Sequence, residues 1–210
     1  MAKYIAMEGC DWTGKSTQME MLQNYLVTFH SNKKVLLIRQ PGFTSTGLAI
    51  RRILATTPHL SAIVKRLLYA ADHIQLMTEA SESFKDYDLV LSDRSTFISD
   101  QVYSKAVSGR AYEVTMQLQA LFPDIPCEDS LLIVLTAPLE VLKERARASR
   151  EEEWAEDRDW DFLDKVSTIY RTMDFNHKKF KNTYFADASQ DSDTVHKSIL
   201  EVMGFFKIIE

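Results

Sequence analysis

The sequence is short of cysteine, of net positive charge and of long apolar runs. Its 210 residues include only two cysteines, Cys10 and Cys127, too few for a disulfide framework or a zinc site. The formal net charge of -5 argues against a non-specific nucleic-acid binder, which needs a basic surface to displace counterions from phosphates. No apolar run approaches the roughly 20 residues that cross a bilayer, and no basic region followed by an apolar segment opens the chain. These absences predict a cytoplasmic protein that binds neither membranes nor nucleic acid.

The apolar residues that are present favour one α/β domain. With 45% hydrophobic residues and no dividing linker, the chain is predicted to form a single domain over residues 1–210. Continuous apolar runs alternate with helical periodicity, which is typical of a parallel sheet covered by helices on both faces. The predicted strands are 3–9, 33–42, 87–94, 130–138 and 182–190; helical patterns cover 15–29, 48–55, 61–84, 139–177 and 192–206. Ligands of such folds bind at the carboxyl ends of the strands.

A phosphate-loop motif follows the first predicted strand. Gly9 to Ser16 reads G-x-x-x-x-G-K-S between a strand and a helix, the context in which this motif cradles phosphates. Gly9 and Gly14 let backbone N–H groups point at phosphate oxygens, and the helix N-terminus adds positive potential. Lys15 is expected to reach the β- and γ-phosphates, Ser16 to ligate Mg²⁺, and Thr17 to bond the α-phosphate. The motif therefore predicts a nucleoside triphosphate, with Mg²⁺, on this loop.

The end of the third predicted strand indicates what is done to that triphosphate. No N-K-x-D motif is present to read a guanine base, so the sequence does not favour a GTPase. The strand ends in one acid beside one arginine, Asp93 and Arg94, which suits a metal-side carboxylate next to a phosphate clamp. This arrangement is typical of a kinase that holds two phosphorylated ligands.

The chain resembles the thymidylate kinase family of P-loop nucleoside monophosphate kinases along its whole length. Asp11 stands two residues after the first glycine of the phosphate loop, where that family has an acid. Four further segments match family motifs in the same order: RQPGFTSTGLAIRRIL (39–54), LLYAADH (67–73), DRSTFISDQVYS (93–104) and DASQ (187–190).

The resemblance implies an architecture and a reaction. The fold would be a P-loop three-layer sandwich, with a five-stranded parallel sheet, helices on both faces and a small helical lid at about residues 143–160. The reaction would convert ATP and dTMP to ADP and dTDP with Mg²⁺. The family commonly forms homodimers, and a homodimer is expected here.

The resemblance also implies roles for individual residues. Three arginines would clamp the acceptor phosphate, two tyrosines would contact the base and the deoxyribose, and two polar groups would approach the pyrimidine or sugar. These are Arg39, Arg51 and Arg94, then Tyr69 and Tyr103, then Ser99 and Gln101. Asp11 would lie near the sugar 3′-hydroxyl or a metal-bound water, and Asp93 near the metal. The backbone of Ala188 and Ser189 would border adenine.

An arginine from the lid is expected to stabilise the transferring phosphoryl group. Families of this type place that arginine in the phosphate loop or in the lid, and this loop has Trp12 at the relevant position. The candidates are Arg145, Arg147, Arg150 and Arg158, with Arg150 preferred and Arg147 retained as a catalytic residue. An arginine that arrives on closure stabilises the transition state more than the ground state.

Two departures from the family pattern concern the acceptor site. Gln40 replaces a glutamate, and His73 replaces the arginine that typically donates to the thymine O4. A shorter, neutral side chain would read the base edge differently, which predicts tolerance of dUMP or a 5-substituted dUMP. The alternative is that His73 is a helix-surface residue. The segment between Arg94 and Ser99 is also one residue longer than in the family.

Other functions remain open at this level. A deoxynucleoside kinase would not need Arg39 and Arg51 as phosphate clamps, and a nucleotide-binding regulator would bind the same ligands without catalysis.

Overall fold

A computed structural model describes residues 2–57, 59–107, 109–125, 127, 129–149, 159–175 and 180–209. The strands are β1 (Lys3–Gly9), β2 (Val35–Arg39), β3 (Leu89–Asp93), β4 (Asp129–Thr136) and β5 (Asn182–Asp187). The α-helices in the described ranges are α1 (Lys15–Phe29), α2 (Ser45–Thr56), α3 (Ala62–Ser83), α4 (Thr96–Val107), α5 (Gly109–Gln119), α6 (Leu139–Ala148), α7 (Trp160–Thr172) and α8 (Ser192–Phe205). A 3₁₀ turn, Phe84–Asp86, follows α3.

The five strands form one parallel sheet in the order β2-β3-β1-β4-β5. β1 is the central strand, where Ile5 pairs with Leu91 on one side and Leu131 on the other, and six of its seven residues are buried. Helices surround this sheet, so the predicted fold class is confirmed. The carboxyl ends of β1, β2 and β3 lie side by side, which brings Gly9, Arg39 and Asp93 to one edge.

The helix boundaries follow local capping. The Thr44 hydroxyl accepts from the Gly47 N–H at the start of α2, and Ser61 and Asp159 accept in the same way at the starts of α3 and α7. α7 buries Leu163, Val166, Ser167 and Tyr170 along one face, which is the stripe expected of an amphipathic helix.

The predicted strand and helix boundaries need small corrections. The second strand is confined to Val35–Arg39 because the chain turns at Pro41 and Gly42. The helical pattern over 139–177 contains two separate described helices, α6 and α7. The third strand is shorter than predicted at both ends, and the fourth and fifth strands end at Thr136 and Asp187, before the predicted residues 138 and 190. Among the described residues, no helix has the length and apolar character that a membrane crossing requires.

Candidate active site

The phosphate loop between β1 and α1 is shaped by left-handed backbone conformations. Gly9 has a φ of +145°, and a Cβ there would lie 2.5 Å from the Leu135 carbonyl oxygen, so only glycine fits. Gly14, with a φ of 88°, is the N-cap of α1. Trp12 between them has a φ of 61°, and its ring packs against Trp160 at the start of α7 with centroids 5.7 Å apart. Loop amides and the helix N-terminus together favour an anion here.

Lys15 lies inside this loop. Its Nζ donates to the carbonyl oxygens of Gly9 at 3.0 Å and Cys10 at 2.7 Å. Burial, and to a smaller extent the positive charge of Arg94, together lower the pKa of Lys15 to about 8. The ammonium group is therefore held next to the position expected for phosphate, in a setting that penalises its charge until an anion arrives.

Glu8 is a buried carboxylate that joins three elements behind the loop. Its Oε1 accepts hydrogen bonds from the Ser95 backbone N–H and the Ser99 hydroxyl, both at 2.7 Å. Its Oε2 accepts from the Tyr170 hydroxyl at 2.7 Å and lies 3.7 Å from Nη1 of Arg94. β1, the start of α4 and α7 are thus fixed to one another through a single side chain.

Arg94 lies between the phosphate loop and the neighbouring cavity. Its backbone has a φ of 70°, an uncommon conformation for a residue with a side chain. Nη2 pairs with Asp11 Oδ1 at 2.8 Å, Nη1 donates to the Gly9 carbonyl oxygen at 3.2 Å, and the guanidinium lies 5.9 Å from the centre of the Tyr103 ring. These contacts hold the guanidinium at the boundary between two ligand-sized cavities.

The first of these spaces, the acceptor cavity, has a volume of about 540 Å³. It is lined by Asp11, Arg39, Gln40, Pro41, Arg51, Leu54, Ala55, Arg66, Tyr69, Arg94, Thr96, Ser99, Asp100 and Tyr103. Three of these residues, Asp11, Arg39 and Arg94, also line a cavity of about 380 Å³ over the phosphate loop. The two cavities therefore meet at a junction lined by two arginines and one aspartate, and seven of the predicted acceptor-site residues lie together in the first.

Two other predicted substrate-binding residues do not line the acceptor cavity. The ring of His73 is buried, lies 4.5 Å from the Phe122 ring, and bonds through Nδ1 to Gln40 Oε1 at 3.2 Å. Gln101 donates to Gln119 at 2.7 Å, away from the cavity. The helix-surface interpretation of His73 is wrong because α3 turns this side chain inward. The geometry gives no support to a direct contact of His73 or Gln101 with an acceptor base.

Gln40 is also fully engaged with the protein. Its Nε2 donates to the Tyr4 hydroxyl at 3.1 Å and to the Ser92 hydroxyl at 3.0 Å. Its Oε1 accepts from the Thr96 backbone N–H at 2.9 Å as well as from His73. The amide therefore ties β1, β3, α3 and α4 together below the cavity.

Ser16 and Asp93 both line the cavity over the phosphate loop. The Asp93 carboxylate lies 3.4 Å from Nε of Arg39, which is largely exposed. A hydroxyl and a carboxylate beside a phosphate site match the oxygen donors that Mg²⁺ prefers, since this ion is usually held by one or two protein groups, phosphates and water. The residues present fit a magnesium ion.

A third cavity, of about 210 Å³, lies between the start of α1 and the start of α8. Thr17 and Ala188 line it together with Arg145, whose guanidinium donates to the Trp12 carbonyl oxygen at 3.4 Å and to that of Gln190 at 3.3 Å. Ser189 lies next to it but bonds to Asp187 through its N–H and hydroxyl. The role of Ala188 and Ser189 beside adenine stays a prediction.

The predicted lid arginines fall in different places. Arg145 lines the third cavity rather than the phosphate junction, and Arg147 is exposed on α6. Arg150 and Arg158 lie outside the described residues, as do residues 150–158 of the predicted lid. The catalytic role of a lid arginine stays a prediction.

Comparison with known proteins identifies the family to which this chain is similar. The model for the family described as thymidylate kinase matches residues 7–199. The thymidylate kinases of Thermoanaerobacter sp. (strain X514) and Thermosipho melanesiensis are 32% and 30% identical over 209 and 206 residues. These alignments cover 96% and 95% of this chain and 97% and 96% of the relatives.

The chain belongs to the thymidylate kinase family. Its fold is similar to that in the crystal structure of thymidylate kinase from Ehrlichia chaffeensis, with a TM-score of 0.72 over 97% of this chain and 100% of that one. The sequence identity is 18%, so this likeness supports the fold alone.

Three residues of this family member were missed by the sequence interpretation. Glu8 lies within an apolar strand and was counted with it. Arg66 and Asp100 line the acceptor cavity and form a buried ion pair with 2.7 Å between Nη1 and Oδ1. Burial raises the pKa of Asp100 to about 6, and the Arg66 charge opposes that rise. The one signal available was position: Asp100 adjoins Ser99, and Arg66 lies one helical turn before Tyr69.

Nucleotide binding is expected to take up a proton at Lys15. In the free protein the ammonium loses its proton as the pH rises through about 8, whereas a bound phosphate favours the charged form. At pH 8 we expect ATP binding to take up about half a proton, and at pH 6.5 almost none. Calorimetry in buffers of different ionisation enthalpy measures this number. Lys15→Arg, which keeps the charge but does not titrate, should abolish the uptake; a wild-type value near zero at pH 8 would contradict the assignment.

Proposed function

We propose that this protein transfers the γ-phosphoryl group of ATP to dTMP and releases ADP and dTDP. Members of the thymidylate kinase family are nucleoside monophosphate kinases, and no observation favours a nucleoside or a regulatory ligand instead. The observation that carries the proposal is the junction of the two cavities, where Asp11, Arg39 and Arg94 are shared. Two phosphorylated ligands bound there would face each other directly.

The proposed mechanism is one of positioning and charge neutralisation. An oxygen of the dTMP phosphate attacks the γ-phosphorus, and the bond to the β,γ-bridging oxygen breaks. Lys15 and the loop amides hold the β- and γ-phosphates, while Arg39, Arg51 and Arg94 hold the attacking phosphate. Ser16 and Asp93 would hold Mg²⁺, which supplies neutralisation of the phosphate charge when bound. No side chain needs to act as a nucleophile.

ADP formation tests this function. With ATP and Mg²⁺ present, we expect ADP release, followed by a coupled assay, to depend on added dTMP. Thymidine lacks the phosphate that the three arginines would hold, so it should give little product. ADP formation that is independent of dTMP, or greater with thymidine, would contradict the proposal.

Arg51 is expected to act in acceptor binding and not in ATP binding. It lines the acceptor cavity, is absent from the cavity over the phosphate loop, and donates to the Pro41 carbonyl oxygen at 3.4 Å. Arg51→Ala should raise the KM for dTMP about 10- to 100-fold, because a charge-assisted bond to phosphate is lost, and should leave the KM for ATP within about twofold. Arg52→Ala, on the exposed side of the same helix, is the matched control. Equal changes in both KM values would contradict this assignment.

We also propose that the chain forms a homodimer through α2 and α3. The two helices are adjacent, and each exposes two large apolar side chains: Leu48 and Ile53 on α2, and Val64 and Leu67 on α3. Light scattering should give twice the chain mass of 24.2 kDa. Leu67→Glu should give the single-chain mass. Val27→Glu, at an exposed position of α1, is the control and should leave the mass of the dimer unchanged. A wild-type protein of single-chain mass would contradict the proposal.

A further inference from the structure

Arg51 is held differently from the other two arginines that would bind the acceptor phosphate. Arg39 and Arg94 each form an ion pair with a neighbouring aspartate. Arg51 forms no ion pair with a described residue, and its Nη1 donates to the Pro41 carbonyl oxygen at 3.4 Å. Because no described carboxylate fixes this guanidinium, its position depends on the backbone at Pro41.

The Pro41–Gly42 turn, which joins β2 to α2, contacts Arg51 at a second point. A Cβ at Gly42 would lie 3.3 Å from Cδ of Arg51, so the methylene chain of this arginine packs against the backbone of the turn. The turn therefore meets both the stem and the charged end of the side chain. A shift of the turn would move Arg51 relative to the acceptor cavity, which Pro41 and Arg51 both line.

Asp72 on α3 packs against this turn from the protein interior. The residue is only 1% exposed, and its Oδ1 accepts a hydrogen bond from the Gly42 backbone N–H at 3.4 Å. The same oxygen lies against Gly47 in the first turn of α2, where an added Cβ would overlap with it. The carboxylate thus contacts both the turn and the beginning of the helix that carries Arg51.

A single peptide unit joins Asp72 to Arg51. The Pro41 carbonyl group, which accepts from Arg51, and the Gly42 N–H, which donates to Asp72, belong to the same planar amide. In this trans amide the two groups point in opposite directions, so an N–H fixed towards α3 directs the carbonyl oxygen towards Arg51. The carboxylate and the guanidinium therefore hold the amide from its two sides.

The carboxylate of Asp72 is costly to bury. Its Oδ2 has no hydrogen-bond partner among the described residues, and no described cation pairs with the group. Burial raises the pKa of Asp72 to about 6, and the hydrogen bond from Gly42 opposes that rise. An apolar side chain would avoid this cost, so packing alone does not account for an aspartate at this position.

We propose that Asp72 is a positioning residue of the acceptor site, which fixes the Pro41–Gly42 turn and, through that turn, the guanidinium of Arg51. Asp72 does not itself touch the acceptor, because it is absent from the described lining of the acceptor cavity. This inference rests on the proposed function, since it takes the phosphate of dTMP as the ligand of Arg51. An arginine held in place before the ligand arrives loses less entropy on binding it.

The first test compares two replacements of Asp72. Asp72→Ala should raise the KM for dTMP about 5- to 20-fold, because the hydrogen bond that orients the turn is lost, and should leave the KM for ATP within about twofold. Asp72→Asn keeps an oxygen for the Gly42 N–H and should stay within about threefold of the wild type. An asparagine variant as impaired as the alanine variant would overturn the inference.

Met77→Ala is the matched control for this comparison. Met77 is buried in the core on the same helix, so its truncation should lower the stability of the protein. The KM for dTMP should nevertheless stay within about twofold of the wild type, and circular dichroism checks that each variant folds. A control with the same rise in KM as Asp72→Ala would assign the effect to general loosening of α3 and would overturn the inference.

The second test asks whether Asp72 acts through Arg51. When Asp72→Ala is added to Arg51→Ala, the KM for dTMP should change by less than about twofold, because the side chain that Asp72 positions is already absent. Two residues that act independently would instead multiply their effects. The full 5- to 20-fold rise in the Arg51→Ala background would therefore overturn the inference.

These outcomes separate the inference from the proposed function. An Asp72→Ala enzyme that raises the KM for dTMP and the KM for ATP by the same factor, or raises neither, would overturn the role given to Asp72 alone. A wild-type protein that does not phosphorylate dTMP would overturn the proposed function, and with it the ligand given to Arg51. A rise confined to dTMP, reversed by asparagine and absent without Arg51, supports both.

Discussion

Replacing Arg94 with glutamine is expected to lower kcat/KM for dTMP by about a thousandfold or more, the scale of an arginine that meets a transferring phosphoryl group. Its guanidinium stands at the junction of the two cavities, 2.8 Å from Asp11 Oδ1. The loss has two sources. A donor to the attacking and transferring phosphates disappears, the Asp11 carboxylate is left beside the incoming phosphates without its cation, and the buried Glu8 carboxylate loses its neighbouring positive charge.

A lysine at position 94 is the informative comparison for this prediction. Arg94→Lys keeps the positive charge but lacks the planar guanidinium whose two amino groups reach Asp11 and Gly9, so it should restore only part of the activity. Steady-state kinetics with both substrates measures the effect, and circular dichroism checks that the variants fold. An Arg94→Gln enzyme within tenfold of wild type would contradict the proposed role.

Replacing Glu8 with glutamine is expected to lower the free energy of unfolding by about 3 kcal/mol, the scale for breaking a buried ionic network. This carboxylate is surrounded by donor groups of Ser95, Ser99, Tyr170 and Arg94. An amide would turn its own N–H groups towards some of those donors, leaving buried groups unsatisfied. Activity should also fall, because Arg94 loses a group that positions it.

Urea denaturation measures the stability change. Glu20→Gln, on the exposed side of α1, is the matched control and should change the free energy of unfolding by no more than about 0.5 kcal/mol. A Glu8→Gln protein within 1 kcal/mol of the wild type would show that the network is not a main source of stability.

The central framework was predictable because each element there carries a local pattern. β1 occupies the predicted residues 3–9, since an unbroken apolar run that ends at glycine has few other interpretations. The phosphate loop followed from its spacing between strand and helix. α4 was missed because it buries seven of its twelve residues, among them Thr96, Asp100 and Gln101, and so shows no polar face to give it a helical period.

The lining of the acceptor cavity was predicted in outline but not in full. Arg39, Arg51, Tyr69 and Tyr103 have motif partners and lie in the cavity as a group. Which way a histidine or glutamine on a helix faces depends on packing, and His73 is drawn to Phe122 and Gln40. An ion pair such as Arg66 with Asp100 joins residues 34 positions apart on two helices, so no local pattern reveals it.

Among the described residues, those that line the acceptor cavity all fall between positions 39 and 103, apart from Asp11. On our proposal the loop that holds the ATP phosphates and the residues beside adenine come from the stretches before and after this block, whereas Arg39, Asp93 and Arg94 at the junction lie within it. Exchange of this one block would therefore change the accepted nucleotide while the phosphate loop and the adenine side stayed intact. A chimera that carries residues 39–103 of a relative with another preference would be the corresponding laboratory experiment, and it needs only two junctions.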